Sequence, residues 1–258
     1  MRYTNEEHFK GVCGYEINDL WYPRVTKIVE IKAKPALYKY YAGLNSFEEG
    51  EAIKNKSASE GTLIHETLEK ILIGENPAIN LEIAPSISAA VNFFQINNIQ
   101  VDPEFVEKRV INQNHRYAGT VDALALIDGK FGVLDIKTSQ SIYRDYCLQT
   151  AAYMDALKEQ FRTLQTRWIL RVDQSKKCLS CGSIRRTKGG REKIRSPYPA
   201  PPDWRSCPND SHQWSELIGE VELKEFPYWQ NDFEAFLGAK RLWEWENDFW
   251  LRRVGYLN

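Results

Sequence analysis

Two apolar segments joined by Asp128-Gly129 constrain the fold of this chain more than any other feature. Residues 117–127 (YAGTVDALALI) and 131–137 (FGVLDIK) are rich in apolar residues and have the length of β-strands. An Asp-Gly pair between such segments favours a tight hairpin turn, because both residues tolerate positive φ angles. We therefore predict that the two segments are neighbouring antiparallel strands.

The predicted hairpin brings three charged residues together. Asp135 and Lys137 lie two residues apart and share one face of their strand, and the turn folds Asp122 of the first strand back toward them. Burying ions costs several kcal/mol unless they are paired or bind a metal. Asp135 and Lys137 therefore either form an ion pair at a solvent-facing sheet edge or belong to a site. Adjacent carboxylates favour Mg²⁺ or Mn²⁺, and a neighbouring ammonium can engage a water molecule or a phosphate oxygen.

The rest of the chain alternates between helical and extended patterns. Helices are predicted on both sides of Pro35 within 23–43, over 59–74 with Gly74 as the stop, over 84–98, over 140–163 and around 232–250. Further strands are predicted at 105–111, 166–172 and 215–223. The pattern predicts an α/β (α+β) fold with a central mixed β-sheet flanked by helices. Residues 1–172 and 215–258 would form this core, and 173–214 an inserted Cys-containing loop module.

Composition narrows the class of protein. The 258 residues are 43% hydrophobic and 27% charged, as in ordinary globular proteins, and the net charge of −1 argues against a protein that coats nucleic acid through bulk positive charge. The first ten residues lack the apolar segment of a signal peptide, and no apolar run approaches the roughly 20 residues of a membrane span. The five cysteines are too few for a disulfide scaffold. We therefore expect a cytoplasmic protein without a membrane partner.

Four short motifs occur in the order of a known nuclease family. They are GTVD at 119–122, DIK at 135–137, QTAAY at 149–153 and, upstream, His65 within GTLIHETLE. With them the chain resembles the PD-(D/E)xK nuclease superfamily in its RecB-like branch, and YPRVTKIVE at 22–30 is similar to the start of mitochondrial genome maintenance exonucleases and their bacterial and phage relatives. The proline that gives the superfamily its name is replaced by Val121, as is common in this branch.

The resemblance implies a fold, an activity and a set of site residues. It implies a restriction-endonuclease-like core and a Mg²⁺- or Mn²⁺-dependent deoxyribonuclease, acting as an exonuclease on single-stranded ends or flaps through metal-activated water. Protein partners from replication, repair or phage recombination are also expected. The implied metal ligands are His65, Asp122, Asp135 and the main-chain carbonyl of Ile136. Lys137 would orient or deprotonate the attacking water, while Gln149 and Tyr153, four residues apart on one helical face, would position the lysine, the water or the DNA backbone.

Each of these roles has a simpler alternative. His65 on an amphipathic helix can be structural, and Gln149 and Tyr153 can make an ordinary polar contact over the sheet. For Glu69 we favour a solvated helix face, and for Glu107 an exposed edge charge, over membership of the site. At the level of function, the alternatives are a nucleic-acid-binding module with an idle nuclease site and an RNA-directed nuclease.

The predicted insertion carries a metal-binding pattern. A CxxC knuckle is followed about 25 residues later by a Cys and a His, and the candidate ligands are Cys178, Cys181, Cys207 and His212. Structural zinc would stabilise a segment that is poor in core residues. The alternatives are a 4Fe-4S cluster, which some RecB-like nucleases contain, and free thiols in a loop. Neither Cys13 nor Cys147 is an obvious fourth ligand for such a cluster.

The same insertion is strongly basic. Between residues 176 and 195 eight lysines and arginines face a single acid, Glu192, which gives a local charge of +7. Clustered cations bind phosphate backbones, and aromatic rings stack on unpaired bases, although solvated loop charge is the simpler interpretation. We predict that the module guides a nucleic-acid strand toward the metal site. The residues predicted to bind it are Arg185, Arg186, Lys188, Arg191 and Trp204.

Overall fold

The computed structural model describes residues 3–186, 188, 193–197, 199–208 and 211–258. The helices are α1 (Glu6–Cys13), α2 (Val25–Val29), α3 (Pro35–Ala42), α4 (Phe47–Leu72), α5 (Ala84–Ile96), α6 (Tyr146–Leu157), α7 (Gln230–Glu246) and α8 (Asp248–Arg253). The strands are β1 (Gly14–Ile17), β2 (Leu20–Pro23), β3 (Gln100–Asn112), β4 (Tyr117–Ile127), β5 (Lys130–Lys137), β6 (Thr166–Lys177), β7 (Ile184–Arg186), β8 (Lys193–Arg195) and β9 (Ile218–Glu225).

The centre of the fold is a mixed sheet. β3, β4, β5 and β6 lie side by side in that order, and β9 pairs with β6. β5 and β6 run parallel, whereas the pairs β3–β4, β4–β5 and β6–β9 are antiparallel. The parallel pair requires a crossover, which α6 supplies. This arrangement confirms the predicted α/β class with a central mixed sheet.

Helices cover both faces of the sheet. On one face the buried side chains of α1, α2, α6, α7 and α8 pack against the sheet around Tyr117 and Val133. On the other face α4 and α5 pack against Leu134, Ile136 and Leu170. The strands of the sheet centre are therefore buried on both sides, as their apolar sequences require.

The predicted hairpin is confirmed. β4 and β5 are antiparallel, Ile127 pairs with Lys130, and Asp128 and Gly129 have φ angles of 50° and 75°, both in the left-handed region. Beyond the pair of Ala123 with Leu134, however, no further pairing joins the two strands. β4 and β5 thus separate at Asp122, near the carboxyl end of β5.

The separation changes which face of the sheet each β4 residue meets. Strict alternation predicted that Val121 shares a face with Ala123 and that Leu124 lies on the other. In the structure Val121 and Leu124 contribute to the same core, and Ala123 to the opposite one. The prediction was wrong at Val121 because the strand departs from regular pleating exactly where it leaves its neighbour.

Several boundaries differ from the predicted ones. α4 begins at Phe47, about one dozen residues before the predicted start, and α6 covers only 146–157 of the predicted 140–163. β6 continues to Lys177, so the segment between β6 and β9 starts after that residue rather than at 173. This segment contains the short β7–β8 hairpin, whose first strand pairs with the end of β6. Periodicity did not reveal α1, β1 or β2, which are short.

A buried arginine fixes α6 against the sheet. Arg167 on β6 is fully buried, forms an ion pair with Asp232 of α7 and donates a hydrogen bond to the carbonyl of Cys147 at 2.9 Å. Arg144, just before α6, also contacts Asp232. Because a buried charge must be paired and hydrogen-bonded, this cluster ties β6, α6 and α7 together.

Among the described helices, none is both long enough and apolar enough to cross a membrane.

Candidate functional site

An open pocket lies where β4 and β5 separate. It has a volume of about 570 Å³, and α4 and α6 form its walls. The lining residues that sequence analysis singled out are His65, Glu69, Glu107, Asp122, Ile136, Lys137, Gln149 and Tyr153. The structure therefore brings the four sequence motifs to one cleft.

Asp122 occupies the gap between the two strands. Its Oδ2 accepts a hydrogen bond of 2.6 Å from the backbone N–H of Ile136, a donor that a continued strand ladder would have used. The same oxygen lies 3.0 Å from His65 Nε2. The Asp122 carboxylate thus replaces the backbone acceptor that the Ile136 N–H loses where the strands separate, and it also faces the imidazole of His65 on α4.

Asp135 lies fully buried next to the pocket and forms an ion pair with Lys137, the candidate catalytic lysine. Lys137 Nζ lies 3.0 Å from its Oδ1 and 2.8 Å from its Oδ2. Gln149 bridges the pair, since its Nε2 donates to Asp135 Oδ1 at 3.0 Å and its Oε1 accepts from Lys137 Nζ at 3.2 Å. Gln149 Nε2 also lies 3.1 Å from the hydroxyl of Tyr153. This network fixes the direction of the ammonium.

Two glycines allow the helices to approach the strands this closely. A Cβ atom at Gly61 of α4 would lie 2.6 Å from Thr138 Oγ1, and one at Gly119 of β4 would lie 2.5 Å from Tyr153 Cε1. Atoms that are not bonded do not come so close, so a side chain at either position would push the helix away. Gly119 therefore serves the contact with α6 rather than a backbone turn.

The charges of the pocket shift one another's pKa values. Burial opposes ionisation of Asp122, but the hydrogen bond and charge of His65 outweigh it and lower the pKa of that carboxyl. Burial also opposes protonation of His65, yet the contact with Asp122 raises the pKa of the imidazole to about 9. The same balance between burial and the two aspartates raises the pKa of Lys137. At neutral pH the ion-free pocket therefore holds a protonated imidazole and a protonated amine.

The second carboxylate behaves differently. Burial and the charge of Asp122 raise the pKa of Asp135 to about 6, although Lys137 opposes this shift. Its Oδ2 is buried and, despite the nearby ammonium, makes no hydrogen bond of good geometry. The Lys137 ammonium, 2.8 Å away, compensates the charge of this oxygen.

Glu107 is exposed on the edge strand β3, as expected, and it also lines the pocket. It lies between Val106 and Lys108, which pair with Ala123 and Val121, so its position is beside Asp122. Its φ of 49° is in the left-handed region, and its Oε1 lies 3.9 Å from His65 Nδ1. Burial, followed by the charge of Asp122, raises the pKa of Glu107 to about 7.

The sequence carried no clear signal for this placement, because the backbone at Glu107 departs from strand geometry. Glu69, which we expected on a solvated helix face, also lines the pocket. Its charge contributes to the raised pKa of Glu107. The acidic character of the pocket is therefore greater than the motifs alone predicted.

Three side chains of the pocket can hold a metal ion together. One ligand atom each of His65, Glu107 and Asp122 lies within 4.8 Å of the others. Carboxylate oxygens with one imidazole nitrogen suit a divalent ion such as Mn²⁺ or Mg²⁺. Asp135 does not belong to this three-residue group, and a ligand role for it or for the Ile136 carbonyl stays a prediction.

A second group of metal-binding side chains lies in the segment between β6 and β9. The ligand atoms of the predicted set, Cys178, Cys181, Cys207 and His212, all lie within 4.8 Å of one another. The backbone forms a knuckle here, since Cys178 accepts from the N–H of Gly182 and donates to the carbonyl of Ser183. Hydrogen bonds from backbone N–H groups lower the pKa of the Cys178 thiol to about 5. The group could bind one metal ion through three sulfurs and one nitrogen.

The predicted nucleic-acid contacts separate into two sets. Arg186 and Lys188 reach the end of β5, where both donate to the carbonyl of Thr138. Arg185 lies over the ring of Trp214, and Trp204 Nε1 donates to the carbonyl of Cys181 at 2.7 Å inside the Cys/His module. Arg191 lies outside the described residues. A role in binding nucleic acid stays a prediction for all five residues.

Comparison with known proteins adds no relative: no family model matches the chain, and no curated protein matches it.

Metal binding to the pocket should release protons. A metal ion needs the neutral imidazole, whereas His65 keeps its proton up to about pH 9 in the ion-free protein. We expect Mn²⁺ binding at pH 7.5 to release about one proton and to strengthen as the pH rises toward 9. Isothermal titration calorimetry in buffers of different ionisation enthalpy measures both quantities.

His65→Gln is the matched variant, because it removes the titrating ring and keeps a polar side chain. It should bind Mn²⁺ more weakly and with less proton release. Binding by the parent protein that is independent of pH and buffer would contradict the assignment of His65 as a ligand.

Proposed function

We propose that this protein is a metal-dependent nuclease that hydrolyses phosphodiester bonds in DNA. The observation that carries the proposal is one open pocket in which Asp122 faces the imidazole of His65, next to the buried ion pair of Asp135 with Lys137. The carboxylate oxygens of Asp122 and Glu107, together with the imidazole of His65, suit a divalent cation. Mg²⁺ or Mn²⁺ bound there would neutralise the charge that develops on the phosphodiester group.

Within this proposal Lys137 acts as a fixed cation. The raised pKa of its amine keeps it protonated at neutral pH, so it donates hydrogen bonds and orients a water molecule or a phosphate oxygen. Of the two roles implied by the resemblance, this favours orientation over deprotonation of the water. Gln149 positions Lys137 through the bridge to Asp135, and Tyr153 supports Gln149.

The finer features of the activity rest on motif resemblance and on charge. The order of the four motifs supports a RecB-like exonuclease acting on single-stranded ends or flaps. The basic segment next to the pocket supports a polyanionic substrate. A binding module with an idle site is the less favoured alternative, because such a module needs no group of potential metal ligands beside a positioned lysine.

We also propose that the Cys/His group holds structural zinc. Tetrahedral zinc with bonds of about 2.3 Å to sulfur places two thiolates roughly 3.8 Å apart. Cys178 Sγ and Cys207 Sγ lie 3.7 Å apart, and Cys181 Sγ lies 3.5 Å from His212 Nδ1. A 4Fe-4S cluster is less well supported, because such clusters are held by four cysteines and this group has three.

Cleavage of DNA should depend on the site residues. We expect the parent protein with Mn²⁺ or Mg²⁺ to degrade end-labelled single-stranded DNA, and Lys137→Gln and Asp122→Asn to be at least 100-fold slower. Lys130→Gln, on the exposed start of the same strand, is the matched control and should cleave normally. Duplex DNA and RNA of the same sequence test the substrate class. No cleavage by the parent, or equal cleavage by the site variants, would refute the proposal.

The zinc proposal is tested by metal content. The purified full chain should contain about one zinc ion, and Cys181→Ser should lose it because three ligands hold zinc far more weakly than four. Cys147→Ala, a buried cysteine of α6 outside the group, is the control and should keep the metal. Inductively coupled plasma mass spectrometry gives the stoichiometry, and zinc retained by Cys181→Ser, or iron in its place, would contradict the assignment.

A further inference from the structure

A second groove lies beside the acidic pocket. It has a volume of about 640 Å³ and runs between α3, the first half of α4, the segment that precedes α6 and the β7–β8 hairpin. Lys137 and Thr138 line both cavities, as do Ser57 and Ala58 of α4. The two cavities therefore meet at the lysine of the proposed catalytic site.

The groove differs from the pocket in its charge. Among its described lining residues there is no acid, and the cations are Lys34, Lys54, Lys137, Arg186 and Lys188, of which Lys54 pairs with Glu51 behind the groove lining. The pocket, by contrast, has four acids, namely Glu66, Glu69, Glu107 and Asp122. The pocket also has three basic side chains, Arg24, His65 and Lys137, so a polyanion is attracted more strongly by the groove than by the pocket.

The groove also has an aromatic lining. Tyr40 and Tyr41 line it on α3, and Tyr143 and Tyr146 line it on the opposite side. The Lys137 ammonium lies 5.2 Å from the ring centre of Tyr146. Tyr143 packs edge-on against Tyr146, and 47% of the surface of Tyr143 is exposed. An exposed ring on a rigid neighbour is a platform on which an unpaired base can stack.

The β7–β8 hairpin, through Arg186 and Lys188, forms one wall of the groove. Arg186 donates to Asp173 at 2.6 Å and to the carbonyl of Thr138 at 3.3 Å, and Lys188 donates to the same carbonyl. These contacts fix the hairpin directly after Lys137. The hairpin thus lies where a nucleic-acid strand that leaves the pocket would pass.

We propose that this groove binds the part of a single nucleic-acid strand that adjoins the scissile phosphate, with bases on the tyrosines and phosphates on Lys34 and Lys54. The inference rests on the proposed nuclease function for its substrate class. A single strand fits because its bases are free to stack, whereas those of a duplex are not. The tyrosines on both walls thereby select unpaired substrates.

Strand binding without cleavage tests the groove. We would titrate the full chain into a fluorescently labelled 20-nucleotide single strand and into the corresponding duplex, without added divalent ions, and follow anisotropy between 50 and 200 mM salt. Tyr143→Leu should weaken single-strand binding about tenfold, while Tyr143→Phe, which keeps the ring, should bind like the parent. The Lys34→Gln, Lys54→Gln double variant should reduce the slope of log affinity against log salt by about 1.4, or roughly 0.7 for each phosphate contact.

Lys56→Gln is the matched control for charge. Lys56 lies on α4 two residues from Lys54 but does not line the groove, so its loss should leave the salt slope unchanged. Parent-like binding by Tyr143→Leu and by the double lysine variant would overturn the proposal. Equal weakening of duplex binding by Tyr143→Leu would overturn the selection of unpaired bases.

The binding assay and the cleavage assay fail independently. If the variants lose binding but the parent protein does not cleave with Mn²⁺, the nuclease proposal fails and the groove remains a single-strand binding site. If the parent protein cleaves DNA and the variants bind the single strand normally, the proposal that the groove binds the strand fails and the nuclease proposal stands.

Discussion

The structure depends on the electrostatic balance among two carboxylates, one fully buried and one half-buried, an imidazole and an amine. Asp122 and Asp135 lie on strands that have just separated, and each needs a partner because an uncompensated buried charge costs several kcal/mol. His65 arrives from α4, and Lys137 from the carboxyl end of β5. The close packing of α4 at Gly61 and of α6 at Gly119 delivers these partners and Gln149 to the same place.

The same balance accounts for the separation of the acidic side chains of the pocket from the basic side chains of the groove. Carboxylates on α4, β3 and β4 concentrate negative potential where a divalent ion can be held. Lysines and arginines gather on the far side of Lys137, where a phosphate backbone can lie. Lys137 stands at the boundary and can contact both an acid ligand and a phosphate group. Arg186 and Lys188 hold the basic wall of the groove against the end of β5 through the carbonyl of Thr138.

Sequence patterns predicted the features that depend on local chemistry. The Asp-Gly turn predicted the hairpin, and the His65, Asp122, Lys137 and Gln149 motifs lie in one pocket. That Glu107 also lines the pocket was not the favoured interpretation, because this placement depends on a left-handed backbone inside a strand. The early start of α4 could have been recognised, since Ser46-x-x-Glu49 is a helix-start pattern and Ser46 Oγ accepts from the N–H of Glu49. The tyrosines of the groove come from segments about 100 residues apart, which no local pattern joins.

The most direct test of the central claim is the location of a bound Mn²⁺ ion by anomalous X-ray diffraction from crystals soaked in manganese. The account predicts an anomalous peak at coordination distance, about 2 Å, from His65 Nε2 and an Asp122 carboxylate oxygen, with Glu107 or Asp135 completing the protein ligands. A pocket without a peak at saturating Mn²⁺, or with the imidazole still paired to Asp122, would contradict it.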